Sequence, residues 1–369
     1  MKTMKLFTSV LLLFCLITAL AACGNTRQPA ATAAPAPVQT PADNALSPTT
    51  EPPASASSLN FNLSELDFNL PVNIMVLNGP TGFGMAKLIA NTAENYALLD
   101  YRFTVESDAS NITAALINGD ADLAALPTNA AAALFNRSEG GVAVVAEIVR
   151  GNLFLLQNPE KQSVSSFADL RGKTVYAPAQ NPTFIMNWLC AANGLTPGED
   201  VIIDNSYAQP ADLRTALAAG EVDLAVLPEP MVTIAMSANT ALEIALDLDA
   251  EWLSAGGEGI VLGCLVARRE WLDEHPNEMA AFLYEYNESV EFALQAPEAA
   301  GQAIQETEIF TNAAVAAKAL PRCSLCYVTD KAMRTEIEGY LEKLFEVAPQ
   351  SVGGEMPDDG FYYYVNSKR

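Results

Sequence analysis

The chain has 369 residues and a formal net charge of −24, which argues against nucleic acid and against adhesion to anionic lipid, since both require a basic patch. Its single histidine, His275, leaves a histidine-built metal centre or a histidine-dependent nucleophile without material; no metal, no cofactor and no catalytic group is expected. Beyond residue 60, about 310 residues remain, enough for two domains or one two-lobed unit.

Lys2 and Lys5 precede an apolar run, Leu6 to Leu20, that is too short and ends too abruptly for a comfortable membrane span. The run closes on Leu20-Ala21-Ala22-Cys23, which resembles the bacterial lipobox. An ordinary secretory signal or a short anchor would also begin this way. Small residues, the cysteine and a polar stretch beyond it together favour a lipoprotein signal over residues 1–22, with Cys23 lipidated. Residues 23–58 are mostly Ala, Pro, Thr, Ser and Asn and bury no apolar face, so a disordered tether spanning roughly 30 Å is expected. The chain is therefore expected outside the cytoplasm, tied to the bacterial cell membrane by lipid.

The folded part opens with a strand over Val72–Leu77, a helix over Gly82–Asn95 and a strand over Tyr101–Glu106. Next come a helix over Ile112–Asn118 and strands over Leu123–Leu126, Val142–Val149 and Asn152–Leu156, the last two separated by Arg150-Gly151. The scheme then recurs: strand 174–176, helix 183–193, strand 201–203, helix 211–219, strand 224–227. After a glycine-rich segment, Ile260–Val266 reads as a strand returning to the first half. Two amphipathic helices follow, one carrying Met279, Phe282, Leu283, Tyr286 and Val290 on its apolar stripe, the other Met333, Ile337, Tyr340, Leu341 and Leu344.

An internal repeat organises these elements. Residues 115–127, Ala-Leu-Ile-Asn-Gly-Asp-Ala-Asp-Leu-Ala-Ala-Leu-Pro, reappear at 216–228 as Ala-Leu-Ala-Ala-Gly-Glu-Val-Asp-Leu-Ala-Val-Leu-Pro. Each copy reads as a helix ended by glycine, an acidic turn and a short buried strand stopped by proline. The spacing exceeds that of a solenoid and points to two similar α/β lobes, each built on a doubly wound, mainly parallel sheet.

Ligands of such sheets bind beyond the carboxyl ends of the strands. Four loops occupy those ends: Gly79-Pro80-Thr81-Gly82, Thr128-Asn129, Gln180-Asn181-Pro182-Thr183 and Glu229-Pro230. Taken singly, Thr81, Thr128 and Thr183 are explained by helix capping; their convergence would make a cleft. The ligand-facing candidates are Thr81, Gly82, Phe83, Thr128, Asn129, Asn181, Thr183 and Glu229. Glu229 has two open roles: accepting from a ligand, or holding an arginine or lysine of its own chain. Phe83 has two as well, stacking on a ring or packing as core or lid. The Gly79–Lys87 segment superficially suggests a phosphate loop, but Met85-Ala86 separates its last glycine from Lys87, and a dinucleotide fingerprint would need glycine at 87. Cys190 and Cys264 lie in apolar contexts suited to packing. Cys323 and Cys326 have redox spacing, with packing or a local disulfide as the plainer readings.

Phe167 to Val175 (Phe-Ala-Asp-Leu-Arg-Gly-Lys-Thr-Val) resembles the DL-x-GK-x-V segment of periplasmic-type substrate-binding proteins. Asn193-Gly194-Leu195 with Pro197 and Asp200-Val201 resembles the segment after their second-lobe helix. Asp223 to Pro230 resembles the repeat ending in Glu-Pro of the nitrate, sulfonate, taurine and thiamine-pyrimidine branch. The resemblance covers roughly Val72 to Phe345 and implies the two-lobed type II fold with two hinge crossovers. Lobe 1 would comprise 70–150 and 265–369, lobe 2 would comprise 151–264, and Arg150, Gly151 and Gly259 would sit at the hinge. It also implies a small-molecule ligand and delivery to an ABC permease with its ATPase; we expect a monomer. Alternatives are a same-fold enzyme of pyrimidine or menaquinone-type biosynthesis, or an exported ligand sensor. No rim loop contains an arginine that would mark an anion, and Glu229 with Phe83 suits a small neutral or heterocyclic molecule.

Overall fold

The computed structural model describes residues 61–365. The signal, Cys23 and the tether lie outside the described residues. The first lobe begins with β1 (Pro71–Leu77), α1 (Pro80–Phe83), α2 (Ala86–Ala93), β2 (Asp100–Glu106), α3 (Ala109–Asn118), β3 (Leu123–Pro127), α4 (Thr128–Arg137) and β4 (Val142–Arg150). The second lobe contributes β5 (Leu153–Gln157), β6 (Thr174–Tyr176), α5 (Asn181–Ala192), β7 (Ile202–Asp204), α6 (Pro210–Ala219), β8 (Leu224–Pro228), α7 (Met231–Ala238), β9 (Glu243–Asp247) and α8 (Leu248–Ser254). The chain returns through β10 (Val261–Arg268), then α9 (Arg269–Glu274), α10 (Pro276–Gln295), α11 (Pro297–Glu306), α12 (Ala313–Ala319), β11 (Leu325–Val328) and α13 (Asp330–Val347).

One sheet has the order β11-β4-β10-β3-β1-β2, the other β7-β6-β8-β5-β9. This is the two-lobed α/β fold expected, with one correction: both sheets are mixed, not mainly parallel. In the first, β1 pairs in parallel with β2 and β3, whereas β10 runs antiparallel to both β3 and β4. In the second, β6 is parallel to β7 and β8, and β5 is antiparallel to β8 and β9. Two of the antiparallel members, β5 and β10, are strands that cross between lobes, because a chain arriving from the other lobe enters its new sheet from the opposite end; β11, antiparallel to β4 at the sheet edge, follows α12 within the first lobe. A continuously apolar run such as Leu153–Leu156 marks burial on both faces but carries no information about direction. The return strand already pairs at Val261, opposite Arg150, and so joins the first sheet before residue 265.

The two copies of the repeat fold alike. Helices α3 and α6 both end on a left-handed glycine, Gly119 at φ 80° and Gly220 at φ 75°, whose N–H returns to the last turn. The strands that follow, β3 and β8, share one burial pattern: four buried residues and then a half-buried proline. The missing side chain makes that backbone conformation accessible, and the proline ends each ladder at the edge where the chain turns toward the other lobe.

Apolar packing also unites the lobes. One buried cluster gathers Leu126 and Val144 of the first sheet, Leu155 and Val226 of the second, and Ile337 and Tyr340 of α13. Trp252 of α8 belongs to it, its ring 4.2 Å from Trp188 of α5 and 5.8 Å from Tyr340.

Candidate functional site

Strand directions place the four rim loops. In the second sheet, the carboxyl ends of β6 and β8 and the start of antiparallel β5 share one edge, which carries Asn181, Glu229 and Asn152. In the first, the ends of β1, β3 and β4 and the starts of β10 and β11 share another, which carries Thr81, Thr128, Arg150 and Arg322. These edges meet. The Asn181 amide Nδ2 donates to Asn129 Oδ1 at 3.0 Å, joining the first turn of α5 to that of α4. Asn129 Nδ2 in turn donates to the Ser351 carbonyl at 3.3 Å.

The second junction is ionic. Arg322, on the 3-10 turn Leu320–Arg322 after α12, donates from Nε to Glu229 Oε1 at 2.6 Å and from Nη2 to Thr233 Oγ1 at 2.8 Å. Glu229 is fully buried; its Oε2 accepts the Thr233 backbone N–H at 3.1 Å, and its Oε1 also accepts the Thr233 hydroxyl at 3.0 Å. Of the two roles open in the sequence, Glu229 has the second: it holds an arginine of its own chain. Neither Arg322 nor Thr233 was singled out from the sequence. Pro321 signals a helix end, but no spacing relates Arg322 to a glutamate 93 positions earlier.

The remaining candidates take the following places. Phe83 is fully buried and meets Phe310 edge-on at 6.0 Å between centroids, so it serves the first-lobe core and does not present its ring at the rim. A Cβ on Gly82 would lie 2.5 Å from the Leu77 carbonyl oxygen, which explains glycine where α1 presses on the end of β1. The Thr81 methyl lies 2.8 Å from where a Cβ on Gly263 would sit, so α1 seats on the start of β10. Thr183 Oγ1 donates to the Pro178 carbonyl at 2.8 Å and accepts from Asn205 at 2.7 Å, a bond pattern that holds the loop entering α5. Three polar atoms in this region are buried without a hydrogen-bond partner, Asn152 Oδ1, Asn181 Oδ1 and Ser351 Oγ, while the buried Thr128 hydroxyl faces the Cys264 thiol. A buried polar group normally finds a partner, so these atoms stand out; Asn152 and Asn181 lie on the edge of the second sheet and Ser351 on the 3-10 turn Pro349–Val352 that meets Asn129.

The crossovers between lobes carry a charged cluster. Arg150, the last residue of β4, donates to Glu147 at 2.9 Å and pairs with Glu336 of α13 at 2.7 Å. A Cβ on Gly151 would fall 2.5 Å from Asp249 Cβ, and Asp249 Oδ1 accepts the Ile260 N–H at 3.0 Å, so one α8 side chain touches both crossovers. The Ser324 hydroxyl donates to the Gly151 carbonyl at 2.6 Å, and Gly259 adopts φ 132°. Cys323 and Cys326 are free thiols, with Cys326 Sγ 3.5 Å from Glu147 Oε1.

Burial lifts the Glu147 carboxyl from 4.5 to about 7; Glu336 adds repulsion and Arg150 opposes both. The folded protein therefore keeps this proton across an interval in which the unfolded chain has lost it. Stability should fall as pH rises from about 4.5 to about 7 and then level off, a contribution on the order of 3 kcal/mol. Glu147→Gln should flatten that slope, read from urea midpoints across the interval; an unchanged slope would assign the proton elsewhere.

The family model described as "NMT1/THI5 like" matches residues 97–300, more than half of the chain. The chain belongs to that family. Solved structures similar to this NMT1/THI5-like protein include an ABC transporter protein from Parabacteroides distasonis, 22% identical, covering 80% of this chain and 99% of that one at a TM-score of 0.66. The periplasmic aliphatic sulphonate binding protein SsuA from Escherichia coli is 16% identical, with 81% and 94% covered and a TM-score of 0.64. The periplasmic nitrate-binding protein NrtA from Synechocystis PCC 6803 is 14% identical, with 77% and 84% covered and a TM-score of 0.53. At these identities the likeness speaks for the fold. No curated protein sequence matches the chain. Among the described residues no helix is long and apolar enough to cross a membrane, and no group of three or more His, Cys, Asp or Glu side chains is placed to hold a metal.

Proposed function

We propose that this NMT1/THI5-like protein is an extracytoplasmic solute-binding protein of an ABC import system. A lipid on Cys23 ties it to the membrane, and the described residues capture a small molecule between the lobes for delivery to a permease. Thr81, Thr128, Asn129 and Asn181 form the rim, joined by Asn152 and Ser351; the crossovers at Arg150-Gly151 and around Gly259 serve as the hinge. The observation that carries this reading is the set of unpartnered buried polar atoms at Asn152, Asn181 and Ser351, beside a direct amide–amide hydrogen bond between the lobes. Similar folds include proteins whose names state sulfonate and nitrate binding.

The rim offers amides, hydroxyls and a neutralised ion pair, groups suited to holding a solute and poorly suited to proton transfer or nucleophilic attack. His275 stands at the start of α10 against Trp271, 5.4 Å between centroids, away from the rim loops in sequence and in fold. Thermal-shift screening of the full chain in detergent against sulfonates, nitrate, bicarbonate and thiamine-related pyrimidines tests the proposal. A true solute at about a hundred times its dissociation constant adds about 2.7 kcal/mol, a rise of several degrees in Tm. A flat response to every compound would contradict it.

A further inference from the structure

The solute class follows from how the rim disposes of its charge, given the cleft reading above. We propose that Glu229 is a specificity-determining residue: by holding Arg322 it cancels the positive charge at the junction, so the site takes an uncharged solute that donates hydrogen bonds and turns oxyanions away.

Two arginines stand on the first-sheet edge: Arg150 is held by Glu147 and Glu336, and Arg322, the one that meets the second lobe's Glu229, has its Nε and Nη2 already engaged by Glu229 and Thr233. The engagement spans the lobes, so closing the cleft brings the neutralising carboxylate along with the second sheet. Glu229 is itself secured by the Thr233 backbone N–H and hydroxyl, so it remains in place whichever solute arrives. A buried oxyanion without an available cation or a set of donors is strongly disfavoured.

The amides point the same way. A side-chain amide can face either way round, but here a backbone carbonyl fixes the order. The Ser351 carbonyl can only accept, so Asn129 turns its NH2 toward it and its Oδ1 toward Asn181. Asn181 must then turn its own NH2 toward Asn129, which leaves its Oδ1 buried and bare. That bare atom is an acceptor. The Asn152 side chain is a second buried amide without a partner at its Oδ1 position, on the same edge of the sheet and next to Glu229, whose N–H donates to the Asn152 carbonyl at 3.1 Å. A sulfonate or nitrate would set lone pairs against the Asn181 oxygen, whereas an amide, a urea or an amino-substituted ring would satisfy it with an N–H group. Leaving such an acceptor unpaired is costly, and that cost is what discriminates.

The test compares wild type with Glu229→Gln, using methanesulfonate and nitrate as probes and Tm and calorimetric affinity as readouts. Freeing Arg322 should raise methanesulfonate affinity by about tenfold or more in the variant, while wild type responds to neither anion. Should Glu229→Gln not fold by circular dichroism, Glu229→Ser repeats the comparison with a smaller side chain. Wild type bound by either anion as tightly as the variant would overturn the assignment and leave solute binding itself intact. A folded variant as indifferent to anions as wild type would also overturn it.

Discussion

Arg322→Met is expected to destabilise the protein by about 3 kcal/mol, because it strips the partner from a buried carboxylate. Glu229 is fully buried on the second lobe, and without Arg322 it keeps only the two Thr233 donors. The lower end of the usual range applies, since the Arg322 side chain is itself 34% exposed and water can partly reach the pair. The double variant Glu229→Gln, Arg322→Met removes the stranded charge along with its partner, and it should recover to within about 1 kcal/mol of wild type. Equilibrium unfolding in urea measures both. A single variant within about 1 kcal/mol of wild type would mean that the ion pair does not join the lobes in solution.

Trp252→Ala should cost more, about 3–5 kcal/mol. The ring is fully buried between Trp188 of α5 and Tyr340 of α13, and its Nε1 makes no hydrogen bond, so the loss is one of packing alone. Trp188 is further tied to α13 by a 3.0 Å bond from its Nε1 to Glu346. Because α8 and α5 belong to the second lobe and α13 follows the last strand of the first sheet, the cavity would open where the lobes share their core. Faster amide hydrogen exchange along α13, centred on Tyr340 and Leu344, should accompany the loss in unfolding free energy. A change below about 1 kcal/mol with unaltered exchange on α13 would contradict the idea of a common core.

How far the sequence discloses this molecule depends on whether a feature is local. Gly119 and Gly220, with Pro127 and Pro228, announce two helix–turn–strand units because cap and stop act within a dozen residues of each other. The long helices α10 and α13 announce themselves through their apolar stripes. The outermost strands β9 and β11 are only partly buried and so lack the continuously apolar run that marks an inner strand, and α7 lies directly against the Glu229-Pro230 turn, which hides its start. Strand direction is also invisible in Leu153–Gln157 and Val261–Arg268, since residues buried on both faces look the same whichever way the chain runs.

The site divides along the same line. The rim loops are legible because strand ends and helix starts are local; Asn129 and Asn181 then meet only because two lobes bring residues 52 positions apart into contact. The partner of Glu229 was beyond reach for that reason, as were the roles of Asn152 and Ser351, which depend on which atoms the closed cleft leaves unsatisfied. Phe83 shows the reverse: its neighbours at 79–82 suggest a rim, while its side chain turns inward to Phe310.

A crystal structure of the protein with its solute tests the clasp most directly. Electron density for the solute should lie between the sheets, with a donor on Asn181 Oδ1, a contact to the Asn152 side-chain amide and the Glu229–Arg322 pair intact. A solute seated instead in the open depression on the first lobe beside Arg269, Glu355 and Tyr362, with Asn181 Oδ1 still bare, would contradict the account.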